Sequence, residues 1–196
     1  GRYLVGHPRS QTLLRVSGQM DVLYAISDSD WATDVESRRS TSCGVLTVDG
    51  AVQGVYSRGQ TTIAQSSGEA EFYGAASVVN EAIGLSGIYD ELGIPMTIVL
   101  QLDSTAAIGM IQRRGTGRAR HMDLRHLFLQ ERVRDGTIGA IEKVDTSVNL
   151  ADVGTKHFTA SRLEELKRLL GMVDVVNESV LHATASVVSA ICCRCG

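Results

Sequence analysis

The chain has 196 residues, 43% of them hydrophobic and 21% charged, a composition typical of one globular domain with additional segments at its ends. Its formal net charge of −3 is unlike the basic balance of most nucleic-acid-binding proteins, although an acidic centre would mask a local basic patch. No apolar run reaches the roughly 20 residues that a membrane span requires, so we expect no membrane partner. The chain begins at Gly1 without a signal-peptide pattern, which favours a fragment of a longer polypeptide.

The first half of the chain predicts a three-stranded meander followed by a long helix. A short apolar strand over residues 22–27 stops at Asp28, and β-rich runs at 41–48 and 51–57 flank a hairpin turn at Asp49-Gly50. An apolar stripe at helical spacing then predicts a helix over 68–92, which Gly93 and Pro95 end.

The second half alternates strands and helices. An apolar strand at 97–102 stops at Asp103, and a short helix through Ile111 leads into a basic loop at 113–121. A helix over 122–134 and a strand over 137–144 follow, and then Asn149 caps a short helical turn. Ser161 and Glu164 have capping-box spacing, which predicts the start of a last helix that ends at Gly171. The order β-β-β-α-β-α-α-β-α indicates a mixed sheet with helices packed on it.

Four acidic residues stand where a site could form. Asp28 and Asp103 end strands that should run parallel, because a helix crosses between them. Glu71 falls on the core-facing side of the long helix, whereas Glu69 projects about 160° away at the border of the polar face. Asp152 opens a late helix.

Each acid alone has an ordinary structural explanation, such as turn chemistry, a helix dipole or an arginine partner. Together they indicate a divalent cation, because converging carboxylates repel one another. Hard oxygen ligands without a nearby His/Cys set favour Mg²⁺ or Mn²⁺ over zinc. Cys43 stands alone, and the terminal Cys192, Cys193 and Cys195 with His182 match no standard zinc spacing.

Six sequence blocks occur in a fixed order: YAISDSDWA (24–32), RRSTS (38–42), SSGEAEFY (66–73), LDSTAA (102–107), RHMDLRH (120–126) and NLADVGTK (149–156). In this order they resemble the motifs of the ribonuclease H domain of copia-type LTR retrotransposon Pol polyproteins. The resemblance implies an α/β ribonuclease H-like fold, a five-stranded mixed sheet with a three-strand meander, a βαβ unit and helices on both faces. The domain would span 22–171, after a linker at 1–21 that follows a reverse transcriptase and before a poorly ordered tail at 172–196.

The resemblance also implies an activity and a site. The activity is metal-dependent endonucleolytic hydrolysis of the RNA strand of RNA–DNA hybrids during reverse transcription. Two Mg²⁺ (or Mn²⁺) ions would be held by Asp28, Glu71, Asp103 and Asp152, of which Asp28 would bridge both ions. The implied partners are the hybrid and the reverse transcriptase domain of the same polyprotein, and the implied location is a cytoplasmic virus-like particle or the nucleus.

Polar and basic residues beside the motifs are candidates for nucleic-acid contacts, although solvated turns explain them as well. They are Arg38, Arg39, Ser40, Thr41, Arg113, Arg114, Arg118, Arg120 and His121. Three other functions stay open. The domain could be a catalytically inactive nucleic-acid-binding remnant, a structural domain without a site, or an integrase core. An integrase core orders its acids Asp, Asp, Glu, whereas Glu71 comes second here.

Overall fold

A five-stranded mixed sheet organises the part of the chain that the computed structural model describes, namely residues 10–13, 18, 20–113 and 123–174. The strands are β1 (Ser10–Thr12), β2 (Val22–Ser29), β3 (Thr41–Val48), β4 (Ala51–Gly59), β5 (Thr97–Leu102), β6 (Ile138–Lys143) and β7 (Met172–Asp174). The helices are α1 (Ser67–Glu91), α2 (Thr105–Gln112), α3 (Asp123–Arg134) and α4 (Ala160–Leu169), and 3-10 segments span Thr146–Val148 and Leu150–Gly154. The sheet order is β4-β3-β2-β5-β6.

The predicted meander is present. Strand β2 pairs antiparallel with β3, and β3 pairs antiparallel with β4. Asp49 and Gly50 have φ values of 51° and 73°, the left-handed pair that a two-residue hairpin turn requires. Strand β2 continues two residues beyond the predicted end, so Asp28 lies within the strand, opposite Cys43.

Helix α1 crosses from the meander to the parallel half of the sheet. Ser66 caps it by accepting a hydrogen bond from the Glu69 backbone N–H, and Gly93 follows its end with φ of 77°. Strand β5 then runs parallel to β2, and β6 runs parallel to β5. The carboxyl ends of β2 and β5 therefore lie side by side, as the sequence predicts.

Both faces of the sheet are covered, which confirms the predicted layering. On one face Leu23 and Ala25 of β2 pack in a core with Phe72 and Val79 of α1. Burying a phenylalanine such as Phe72 contributes about 1.5–3 kcal/mol. On the other face a smaller cluster comprises Ile26, Cys43, Val45, Ala151 and Leu170. The 3-10 segment that carries Asp152 is therefore anchored on the second face.

Two features differ from the sequence predictions. The N-cap of α4 is Thr159, whose hydroxyl group accepts a hydrogen bond from the Arg162 backbone N–H, so the predicted start at Ser161 is wrong. In addition, β1 and β7 form a separate antiparallel pair that joins the two segments flanking the main sheet. The domain boundaries at 22 and 171 stay a prediction. In the described part of the chain, none of the helices has the length and apolar character of a membrane span.

Candidate metal centre

Three carboxylates from three different elements converge at one edge of the sheet. Asp28 of β2, Glu71 of α1 and Asp103, which follows β5, each place one carboxylate oxygen within 4.8 Å of the others. Asp28 and Glu71 are buried, with 1% and 8% of their surface exposed, and Asp103 is half-buried. The predicted convergence of four acids is thus confirmed for these three, whereas the fourth, Asp152, lies outside their group.

A close approach of α1 to β2 brings Glu71 onto the strand. A Cβ atom at Gly74 would lie 2.5 Å from Ser29 Oγ and 2.8 Å from Ser27 Oγ. Those distances are shorter than real Cβ contacts, so any larger residue would force the serine hydroxyl groups or the helix to shift. Glu71 lies three residues earlier, on the same side of the helix, and the contact therefore holds its carboxylate against the end of β2.

Glu71 is the most strongly perturbed acid of the site. Burial, followed by the charges of Asp28 and Asp103, raises the pKa of Glu71 to about 8, although the Ser29 backbone N–H donates to its carboxylate. Its Oε2 atom is buried and has no hydrogen-bond partner among the described residues. Such an oxygen normally has a partner, and a bound cation would supply one.

Asp28 is shared between this group and a second acid. Thr155 Oγ1 donates to Asp28 Oδ2, and Lys156 Nζ lies 3.5 Å from Asp28 Oδ1. The same ammonium group lies 2.5 Å from Asp152 Oδ1. Burial raises the pKa of Asp28, against the effects of Thr155 and Lys156. Asp152 is thus close to Asp28 but separated from it by a lysine, and it lies outside the group of three.

The donor set fits a hard divalent cation. All three converging ligands are carboxylate oxygens, which Mg²⁺ and Mn²⁺ prefer. Cys43 lies opposite Asp28 in the sheet, but burial raises the pKa of its thiol to about 11, so it stays protonated and is a poor ligand. Asp103 Oδ2 accepts a hydrogen bond of 3.1 Å from the Thr146 hydroxyl group, which orients it.

The residues predicted to contact nucleic acid differ in accessibility. Arg38 and Arg39 are exposed, but Ser40 is buried and its hydroxyl oxygen accepts a hydrogen bond of 3.1 Å from the Ala32 backbone N–H. Thr41 lines a cleft of about 420 Å³. Arg113 is exposed after α2. Four further predicted contacts lie outside the described residues: Arg114, Arg118, Arg120 and His121.

Sequence reasoning missed two features of the site. Glu69, placed at the border of the polar face, is buried, accepting hydrogen bonds of 2.7 Å from the Tyr73 hydroxyl group and 2.9 Å from the Gln65 backbone N–H. Lys156 and Thr155 were recognised only as motif residues, without a role. The sequence does contain a pattern that indicates the contact of Lys156 with Asp152. Lys156 follows Asp152 by four residues, a spacing at which side chains meet on a helical turn.

The chain is similar in sequence to retrovirus-related Pol polyproteins of plant transposons. No family model matches the chain. It is 31% identical over 173 residues to the retrovirus-related Pol polyprotein from transposon TNT 1-94 of Nicotiana tabacum, a match covering 87% of this chain and 13% of that protein. It is 27% identical over 177 residues to the retrovirus-related Pol polyprotein from transposon RE2 of Arabidopsis thaliana, covering 89% and 12%. The chain therefore spans only about 12–13% of the length of these curated relatives.

A solved structure also resembles the chain. RNase H1 from the halophilic archaeon Halobacterium salinarum NRC-1 superimposes with a TM-score of 0.49 at 15% identity, covering 73% of this chain and 98% of that one.

Proposed function

We propose that this chain, a ribonuclease H-like domain of a retrovirus-related Pol polyprotein, is a metal-dependent endonuclease that hydrolyses the RNA strand of RNA–DNA hybrids. The observation that carries the proposal is the convergence of Asp28, Glu71 and Asp103 around a buried Glu71 oxygen that has no partner among the described residues. Three buried or half-buried carboxylates in one place are costly without a cation. A bound divalent cation would offset that cost.

The chain's own residues would provide the ligands of the metal centre. Glu71 and Asp103 would hold one Mg²⁺ or Mn²⁺ ion, Asp152 the other, and Asp28 both. Each of the three converging acids is oriented by a donor: Asp28 by Thr155, Asp103 by Thr146 and Glu71 by the Ser29 backbone N–H. When bound, two ions would activate a water molecule for in-line attack on the phosphate and stabilise the leaving oxygen.

Recognition of the substrate would rest on exposed basic residues. The exposed Arg38, Arg39 and Arg113 are suited to phosphate contacts, which supply most of the affinity for nucleic acid without reading its sequence. The remaining predicted arginines of the 113–121 loop and His121 would extend this contact. The ribose 2′-hydroxyl group distinguishes RNA from DNA at the cleaved strand. Attachment to a reverse transcriptase domain and a location in a cytoplasmic virus-like particle or the nucleus stay part of this proposal.

The test is cleavage of an end-labelled RNA strand in an RNA–DNA hybrid. Wild-type protein should cleave with Mg²⁺ or Mn²⁺, and should not cleave in chelator or when the RNA strand is replaced by DNA. Asp103→Asn is the matched control, because it removes one charge and keeps the shape of the side chain. Binding of the hybrid without cleavage in any metal would instead support an inactive binding remnant, and strand transfer into plasmid DNA would support an integrase.

A further inference from the structure

The Lys156 ammonium group lies between two buried carboxylates of the candidate metal centre. Its Nζ atom is 2.5 Å from Asp152 Oδ1 and 3.5 Å from Asp28 Oδ1. The carboxylate side chains are 5% and 2% exposed, whereas the lysine side chain is 39% exposed. A positive charge therefore already stands where Asp152 and Asp28 face each other.

The backbone holds this lysine in place. The amides of Thr155 and Lys156 both donate to the Asp152 carbonyl oxygen at 3.1 Å, which closes the turn after the 3-10 segment. The turn sets Lys156 four residues after Asp152 and returns its side chain over that carboxylate. The neighbouring Thr155 hydroxyl group donates to Asp28, so the same turn is attached to both acids.

We infer that the Lys156 ammonium group occupies the position of the second divalent cation between Asp28 and Asp152, and that this group has to move away before that ion binds. The inference rests on the proposed function, because it assumes that these carboxylates hold metal. An ammonium group and a divalent ion cannot share the space between the same two oxygens. Lys156 would thus lower the affinity of the second ion site relative to the first.

The surroundings allow the lysine to leave. Lys156 lines the cleft of about 420 Å³ together with Thr41, Thr155 and His157. Asp30 and Asp34 also line this cleft, so a released ammonium group would have other carboxylates within it to attract its charge. The ion that Glu71 and Asp103 would hold has ligands other than the Asp152 carboxylate that Lys156 contacts most closely, so its binding would depend less on this movement.

The experiment is a calorimetric titration of the protein with Mn²⁺, without nucleic acid. Wild type should show one tighter and one weaker ion. Lys156→Gln should bind the weaker ion about tenfold more tightly, because it removes a competing charge at contact distance, and should change the tighter ion much less. Lys156→Arg keeps the charge and can pair with both carboxylates, so it should bind the weaker ion no better than wild type.

Lys143→Gln is the matched control. Lys143 is exposed and pairs in the sheet with Leu102, the residue that precedes Asp103. Its replacement therefore removes the same charge near the site, but not from between two carboxylates. It should leave both ions nearly unchanged. If Lys143→Gln and Lys156→Gln increase the affinity for the weaker Mn²⁺ ion equally, net charge alone explains the effect and the inference is overturned.

Failure of the inference and failure of the proposed function give different results. Two ions that bind equally well to wild type and Lys156→Gln would overturn the role of Lys156 and leave the metal centre standing. No Mn²⁺ binding to any variant would overturn both. Melting in chelator is a second readout: Lys156→Gln should melt below Lys143→Gln, since it leaves Asp28 and Asp152 facing each other without a cation. Equal melting temperatures would also count against the inference.

Discussion

The raised pKa of Glu71 leads to a quantitative prediction for the metal-free protein. Its ordinary value is 4.5 and its value in the folded protein is about 8. Between these pH values the folded state keeps a proton that the unfolded state has released. The free energy of unfolding should therefore fall as the pH rises through this window. At about 1.4 kcal/mol per pH unit, the loss amounts to as much as roughly 4–5 kcal/mol.

The variant Glu71→Gln isolates this effect. The amide is neutral at every pH, and its carbonyl oxygen still accepts the hydrogen bond from the Ser29 backbone N–H. Below pH 4.5 the variant and wild type should have similar stability, because Glu71 is then protonated in both the folded and the unfolded state. At pH 8 the variant should be more stable by several kcal/mol. Asp28 also has a raised pKa and its charge acts on Glu71, so the difference between the two proteins contains this coupling together with the burial of Glu71.

The assay is urea unfolding in chelator from about pH 3.5 to 8.5, for wild type and Glu71→Gln side by side. Excess Mg²⁺ provides the control: it should stabilise wild type increasingly as the pH rises, because ion binding needs the ionised carboxylate. It should stabilise the variant much less. A difference in stability that does not change with pH, or a wild type that gains stability between pH 5 and 8 in chelator, would refute this explanation of the site.

Three further outcomes are expected. Asp103→Asn should abolish cleavage. It should keep or raise the melting temperature in chelator, because it relieves charge repulsion among the carboxylates. A large loss of stability would mean that Asp103 has a structural role. Gly74→Ala should destabilise the fold by about 1–3 kcal/mol, because its Cβ would overlap two strand hydroxyl groups. The control Gly84→Ala, on the same helix, has open space and should stabilise the fold by about 0.5–1 kcal/mol. Equal changes in the free energy of unfolding in urea would contradict the close approach of the helix to the strand. Alanine should replace four arginines of the basic loop together: Arg113, Arg114, Arg118 and Arg120. The salt dependence of hybrid binding should then flatten by about one unit of slope per lost phosphate contact. Parallel slopes for the variant and wild type would mean that the loop makes no phosphate contacts.

The convergence of the acids was predictable because it follows from topology. A helix between two apolar strands makes the strands parallel, and parallel strands that each lead into an aspartate bring Asp28 and Asp103 to the same edge. Helical periodicity then placed Glu71 on the buried side of α1. These inferences need only the order of elements and the direction of side chains, which patterns of apolar residues report well.

Features that depend on tertiary packing or loop geometry were not predictable in the same way. Helical periodicity alone put Glu69 near the polar face, but Tyr73 and the chain before α1 cover it. The β1–β7 pair has only three residues on each strand, which is too short for a recognisable period. The position of Lys156 depends on the turn after Asp152, and the distance from its ammonium group to Asp28 cannot be read from spacing.

The most direct test of the metal centre is the anomalous scattering of Mn²⁺ in crystals of the wild-type protein. A peak in contact with carboxylate oxygens of Asp28, Glu71 and Asp103 is expected, and it should disappear in Asp103→Asn or become much weaker. Crystals in saturating Mn²⁺ that show no peak at these three residues, or a peak only at other carboxylates, would contradict the central claim that these acids converge to hold a catalytic cation.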